Sequence, residues 1–178
     1  MPARTLGTTL ISREAIQRRI AELGRQVSGD YRGRAVTFVA ILKGSVIFAS
    51  DLLRALDTEL ICTIDFIAVS SYGDSTTSSG TVHIQKDLDT SVEGKDVIIV
   101  EDIVDTGLTL QHVYNIVSGR GARSIRIATL LEKPGKIQHP LTLHYVGFQI
   151  PNEFVVGFGL DYAERYRNLP EVRILDEI

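Results

Sequence analysis

The chain has 178 residues, 44% of them hydrophobic, and a formal net charge of −3. That length suits one domain with a sizeable core, expected to span residues 1–178. The single cysteine excludes an intrachain disulfide and a cysteine-built zinc site, the mixed charges offer no basic block for nucleic acid, and no apolar run approaches a membrane span.

Residues 1–15, MPARTLGTTLISREA, lack the apolar stretch of a secretory signal, so a soluble cytoplasmic protein is expected. Ser12 reads as a helix N-cap, with Ile11 and Ile16 as a hydrophobic staple. Ile16, Ile20, Leu23 and Val27 give that helix one apolar face, and Gly29 is expected to end it. Residues 36–42, VTFVAIL, read as a buried strand that turns through Lys43-Gly44 into a helix over 45–56. A second strand covers 60–69, with Cys62 expected in the core beside Ile61 and Ile64. Residues 70–80, SSYGDSTTSSG, have loop composition, and 81–86 alternate as an antiparallel return.

The stretch 97–110, VIIVEDIVDTGLTL, is the most informative. Four branched aliphatic residues open it, the pattern of a strand buried on both faces. Glu101 and Asp102 follow, then Asp105 and the small polar turn Thr106-Gly107-Leu108-Thr109. Leu110, Val113 and Val117 continue at helical spacing, so a helix starts near Thr109 and closes at Gly119-Arg120-Gly121. In open α/β sheets, ligands bind beyond the carboxyl ends of strands, close to helix N-termini. Carboxylates accept from sugar hydroxyls and hold Mg²⁺, while backbone N–H groups and threonine hydroxyls donate to phosphate. A ligand that needs both is a sugar phosphate.

Residues 124–131, SIRIATLL, form another strand leading to Lys133. Short strands follow at 143–148 and 154–158, and 162–168 reads as a helical turn. Strands alternating with helices predict an α/β fold: one domain, a parallel-core sheet flanked by helices. His83, His112, His139 and His144 have no metal-ligand spacing.

The 97–110 pattern resembles the signature of the type I phosphoribosyltransferases, which bind 5-phosphoribosyl-1-diphosphate with Mg²⁺. More narrowly, the chain is similar to the bacterial hypoxanthine-guanine phosphoribosyltransferases over about residues 11–175. The likeness is carried by LKG at 42–44, SSYG at 70–73, VEDIVDTG at 100–107, Lys133 and FVVGFGLDYAERYRNLP at 154–170. The central motif specifies only the superfamily; Lys133 and the tail segment carry the 6-oxopurine assignment.

The resemblance implies a small hood built from the termini and the C-terminal strands. It implies that Lys43-Gly44 is the diphosphate loop, with a cis Leu42–Lys43 peptide, and that Arg167 contacts the diphosphate. Ser71 and Tyr72 would close as a lid. Glu101 and Asp102 would hold the ribose hydroxyls and Mg²⁺, with Asp161 reaching the ion through water. Asp105, Thr106, Gly107, Leu108 and Thr109 would surround the 5′-phosphate, and Asp105 would act as general base or acid at purine N7. Lys133 would donate to the oxygen at position 6, Phe154 would stack on the purine, and Val155 would offer backbone polar atoms to its edge. Leu108 departs from members that carry lysine there. The implied bases are hypoxanthine and guanine, with xanthine a third candidate, and the implied assembly is a homodimer or homotetramer.

Two other classes share parts of the pattern. One is a regulatory protein on the same fold that binds nucleic acid, disfavoured by the acidic chain. The other is an aspartic protease, from Asp105-Thr106-Gly107, disfavoured by the helical sequence that follows.

Overall fold

The computed structural model describes residues 4–71 and 82–177. The elements are β1 (Arg4–Ile11), α1 (Arg13–Asp30), β2 (Val36–Ile41), α2 (Val46–Arg54), β3 (Cys62–Ser71), β4 (Val82–Lys86), β5 (Asp96–Val104), α3 (Leu108–Gly119), β6 (Ser124–Glu132), β7 (Tyr145–Gln149), β8 (Val155–Val156) and β9 (Val172–Glu177). A single 3-10 turn, Pro134–Lys136, follows β6.

Six strands form the main sheet in the order β4-β3-β2-β5-β6-β7. All its pairs are parallel except β3 with β4. The apolar runs explain this arrangement. Every residue of β2 is buried, as are the first six of β5, so both strands need cover on both faces. Side chains alternate between the faces. Phe38, Ala40, Ile98 and Val100 pack under α1 and α2 with Ile16, Leu23, Phe48 and Leu52. Val39, Ile41, Val97 and Ile99 pack under α3 with Leu110, Val113 and Val117. The aspartic-protease reading ends here, because α3 follows Gly107 directly in a parallel α/β sheet.

The expected hood is a separate three-stranded sheet, β1-β9-β8, joining the two ends of the described chain. Ser12 caps α1 as expected, its hydroxyl accepting from Ala15 N at 3.2 Å. Among the described residues no helix is long and apolar enough to cross a membrane.

Three expectations need correction, and one strand proves longer than its aliphatic run. The helix α1 does not end at Gly29 but runs one residue further to Asp30, capped at the buried Tyr31, whose N–H bonds to Val27 O at 3.0 Å. Cys62 is exposed, and so are Ile61 and Ile64, because burial on β3 begins only at Asp65. The strand β5 runs on past the four aliphatic residues through Val104, so Glu101 and Asp102 are strand residues, Glu101 paired with Thr129 of β6. Residues 162–168 are not helical: Ala163, Glu164 and Tyr166 have φ of +50°, +61° and +77°, which a right-handed helix cannot contain.

At the opposite end of the sheet from the carboxyl edge, Asp96 anchors β5. Arg123 donates to it from Nε at 2.9 Å and from Nη2 at 2.6 Å, and the Ser124 hydroxyl donates at 2.7 Å. The Arg123 bonds hold the Asp96 carboxyl down, from 3.8 to about 2. Its side chain is 1% exposed, so the depression is worth about 2 kcal/mol. A depressed carboxyl stabilises the fold above its unfolded value and loses that contribution as pH falls through its folded value. Asp96→Asn is therefore expected to lose about 2 kcal/mol at pH 7 and to show a flatter stability profile between pH 4 and 2. Urea unfolding across that range measures both, and an unchanged midpoint at pH 7 would remove the anchor.

Candidate active site

The strand order reverses between β2 and β5: β2 leads to β3 on one side, and β5 leads to β6 and β7 on the other. Such a reversal opens a crevice at the carboxyl ends of the two strands. A cleft of about 340 Å³ lies there, bordered by the Lys43-Gly44 loop, the end of β5 and the start of α3. Asp161 and Arg167 close it from the C-terminal side.

The Leu42–Lys43 peptide is cis. The buried Ser45 hydroxyl donates to Ile41 O at 2.6 Å and ties the loop to the end of β2. Gly44 is required by packing: a Cβ there would lie 1.6 Å from Asp102 Oδ2. A Cβ on Gly159 would likewise lie 2.1 Å from Gly44 O, so the segment after β8 sits directly on this loop.

Glu101 and Asp102 are neighbours in the cleft. Glu101 accepts from Asp102 N at 3.0 Å, and Asp102 Oδ1 accepts from Ile103 N at 2.7 Å. Burial pushes the Glu101 carboxyl up, and the charge of Asp102 pushes it further. Burial also raises Asp102.

At the start of α3, Gly107 is the N-cap at φ +85°, a conformation suited to glycine. The first helical bond runs from Gln111 N to Gly107 O at 2.9 Å. The N–H groups of Leu108, Thr109 and Leu110 precede it, which makes this turn a seat for an anion. Leu108 N has a long contact of 3.4 Å to the Thr106 hydroxyl. Thr106 O accepts from Gln138 N at 2.9 Å and from His139 N at 3.0 Å, tying the turn to the segment that follows Lys133.

A second cavity of about 280 Å³ adjoins the cleft and shares Asp102, Ile103, Asp105 and Asp161 with it. Its other walls are Lys133, Phe154, Val155 and Leu160. Lys133 is buried, its Nζ 3.5 Å from Asp105 Oδ2. Phe154 is 44% exposed, and its ring meets Tyr162 edge-on at 5.9 Å. Val155 is buried and paired to Ile174 of β9.

Most expected site residues thus meet around two joined cavities. Of the expected lid, Ser71 ends β3, while Tyr72 lies outside the described residues. Asp161 has both oxygens engaged, one by Arg167 Nη2 at 2.7 Å and the other by Glu164 N at 2.8 Å. Three residues were missed from the sequence. Ser45 fixes the loop. Lys136 places its Nζ 3.4 Å from Asp105 Oδ1. Glu164 contacts both Lys43 and Arg167. Each of the last two lies three positions after a residue already singled out, Lys133 and Asp161, and that is the only local signal they give.

A family model for the phosphoribosyl transferase domain matches residues 8–163. The hypoxanthine-guanine phosphoribosyltransferase of Bacillus subtilis is 50% identical over 166 residues, covering 93% of this chain and 91% of its own length. The bifunctional protein TilS/HprT of Listeria innocua is 52% identical over 166 residues, and there the chain spans only 25% of the relative's length. The crystal structure of a hypoxanthine phosphoribosyltransferase from Staphylococcus aureus superposes with a TM-score of 0.91 at 46% identity, covering 96% of this chain and 92% of that one. The matched region contains the strand reversal, the cleft and the helix turn beside it, and the chain belongs to the phosphoribosyltransferase family.

Proposed function

We propose that this protein transfers the phosphoribosyl group of 5-phosphoribosyl-1-diphosphate to N9 of hypoxanthine or guanine, giving IMP or GMP and diphosphate, with residues 1–178 acting as one domain. The carrying observation is the adjacency of the two cavities. One combines carboxylates with a helix N-terminus, and the other has a buried lysine beside an exposed aromatic ring. Thr106, Gly107 and Thr109 seat the 5′-phosphate through hydroxyls and free N–H groups. Leu108 adds only its N–H, since its side chain carries no charge. Glu101 and Asp102 accept from the ribose hydroxyls. Lys43, the Gly44 backbone and Arg167 receive the diphosphate. Val155 contributes backbone atoms at the purine edge, and Ser71 and Tyr72 remain the proposed cover. Asp105, on the wall shared by both cavities, exchanges the proton at purine N7.

The residues present fit Mg²⁺. Hard oxygen donors line the cleft, and Mg²⁺ commonly takes one or two carboxylates while keeping waters and substrate oxygens. Among the described residues no three acidic, histidine or cysteine groups form a cage. Glu101 and Asp102 would hold the ion, with Asp161 reaching it through water because its own oxygens are engaged. When bound, the ion supplies neutralising charge to the departing diphosphate.

The proposal includes a homodimer or homotetramer and a cytoplasmic setting. The exposed, unpaired Cys62 suits a reducing compartment.

The test is incubation with the diphosphate sugar, Mg²⁺ and each purine base, followed by identification of the nucleotide. IMP and GMP are expected, and AMP is not. Nucleotide from no base would end the transferase reading, and AMP alone would end the purine assignment.

A further inference from the structure

The two cations that border the diphosphate end of the cleft do not face empty solvent. Glu164 Oε1 accepts from Lys43 Nζ at 3.0 Å, and Glu164 Oε2 lies 3.3 Å from Arg167 Nη2. One carboxylate thus bridges the β2–α2 loop and the segment after β8. These cations draw the Glu164 carboxyl below its ordinary value, Lys43 most strongly.

The backbone does not explain why a glutamate stands here. Glu164 sits at φ +61°, next to Ala163 at +50°. Glycine and asparagine enter that region more readily than glutamate does. What the glutamate adds at this position is its pair of contacts to Lys43 and Arg167. A second observation lies in Arg167. Its Nη1 donates to Gly159 O at 2.8 Å and its Nη2 meets Asp161, yet its buried Nε has no acceptor. That Nε is a buried donor that no described residue satisfies.

We propose that Glu164 is an internal stand-in for the diphosphate. Its carboxylate holds Lys43 and Arg167 in the free site and competes with the incoming diphosphate for both. It thereby sets the affinity of the site for that group. The inference rests on the transferase reading above. Both Glu164 and Lys43 are largely exposed, at 66% and 69%, so the carboxylate can swing out without unfolding the hood. Diphosphate carries more charge than one carboxylate, so it wins the competition. Its release is then assisted, because Glu164 returns to cations that would otherwise stay unpaired.

The experiment is titration of inorganic diphosphate with Mg²⁺ into the full chain, for wild type, Glu164→Gln, Glu164→Asn and Glu164→Asp. The KM values for the diphosphate sugar and for the base are measured alongside. Exposed ion pairs are individually weak, so the neutral variants are expected to bind diphosphate about 2- to 10-fold more tightly. KM for the diphosphate sugar falls by the same factor, KM for the base does not move, and Glu164→Asp keeps wild-type affinity. Asparagine suits the positive φ, so a purely structural role predicts an intact Glu164→Asn protein with unchanged diphosphate affinity. That result, or weaker binding in both neutral variants, overturns the inference while leaving an active wild type. A wild type that binds no diphosphate and forms no nucleotide overturns the transferase reading and this inference with it.

Discussion

Asp105→Ala is expected to lower kcat by about 10²- to 10⁴-fold, the usual contribution of a positioned acid–base group. On the shared wall Asp105 has a lysine on each side. Its Oδ2 lies 3.5 Å from Lys133 Nζ and its Oδ1 lies 3.4 Å from Lys136 Nζ. Oδ1 is buried and has no hydrogen-bond partner among the described residues, with only the Lys136 ammonium near it at 3.4 Å. The Asp105 side chain is 39% exposed at the wall of the open cleft, so its truncation removes no core packing, although it unpairs Lys133, whose side chain is 8% exposed. The variant should therefore fold. Its removal also deprives Lys133 of its counter-charge, so KM for the base is expected to rise as well. Asp105→Asn keeps the shape and one acceptor but cannot take the proton, and should lose kcat nearly as far. Steady-state kinetics on folded variants decides the point: wild-type kcat in Asp105→Ala removes the acid–base role.

The second large effect concerns the choice of base. Lys133 is 6% exposed and its Nζ has three donors and no acceptor. Position 6 of hypoxanthine and guanine carries an oxygen, which accepts. Position 6 of adenine carries an amino group, which donates. A site built to hydrogen-bond one group rejects its mismatched analogue by about 10⁴-fold or more, so the wild type is expected to ignore adenine at that level. Lys133→Met should lose about 10- to 150-fold in kcat/KM for hypoxanthine, the worth of a hydrogen bond to a charged group. Binding of the diphosphate sugar should persist, because Lys133 lines the second cavity and not the cleft. The measurement is kcat/KM for the three bases with both proteins. Unchanged hypoxanthine use by Lys133→Met would displace this lysine from the purine subsite.

Much of this was readable in the chain because burial on both faces leaves a strong trace. Residues 97–100 are a continuous apolar run and residues 36–41 one broken only by Thr37, the pattern of a strand covered on both faces. The cleft was legible for a related reason: charged residues ending such a run have few structural uses. The hood strands β1 and β9 gave no local signal. They pair with each other from opposite ends of the chain, Leu6 beside Leu175, and neither carries a long apolar run. Cys62 misled because an apolar triplet on a strand says nothing about whether a helix covers that stretch. Lys136 and Glu164 look like solvated surface charges in sequence. Only the fold brings Glu164 to Lys43, 121 positions away.

The tie between Thr106 O and the backbone of Gln138 and His139 has a thermodynamic consequence. The phosphate seat and the segment leading back to Lys133 are clipped together by two hydrogen bonds, so displacing one subsite strains the other. Reciprocity then applies: whatever factor a bound phosphate group applies to the affinity for a purine, the purine must apply to the affinity for the phosphate. The coupling, whatever its sign, runs through main-chain atoms, so among substitutions at 138 and 139 only proline would remove a donor.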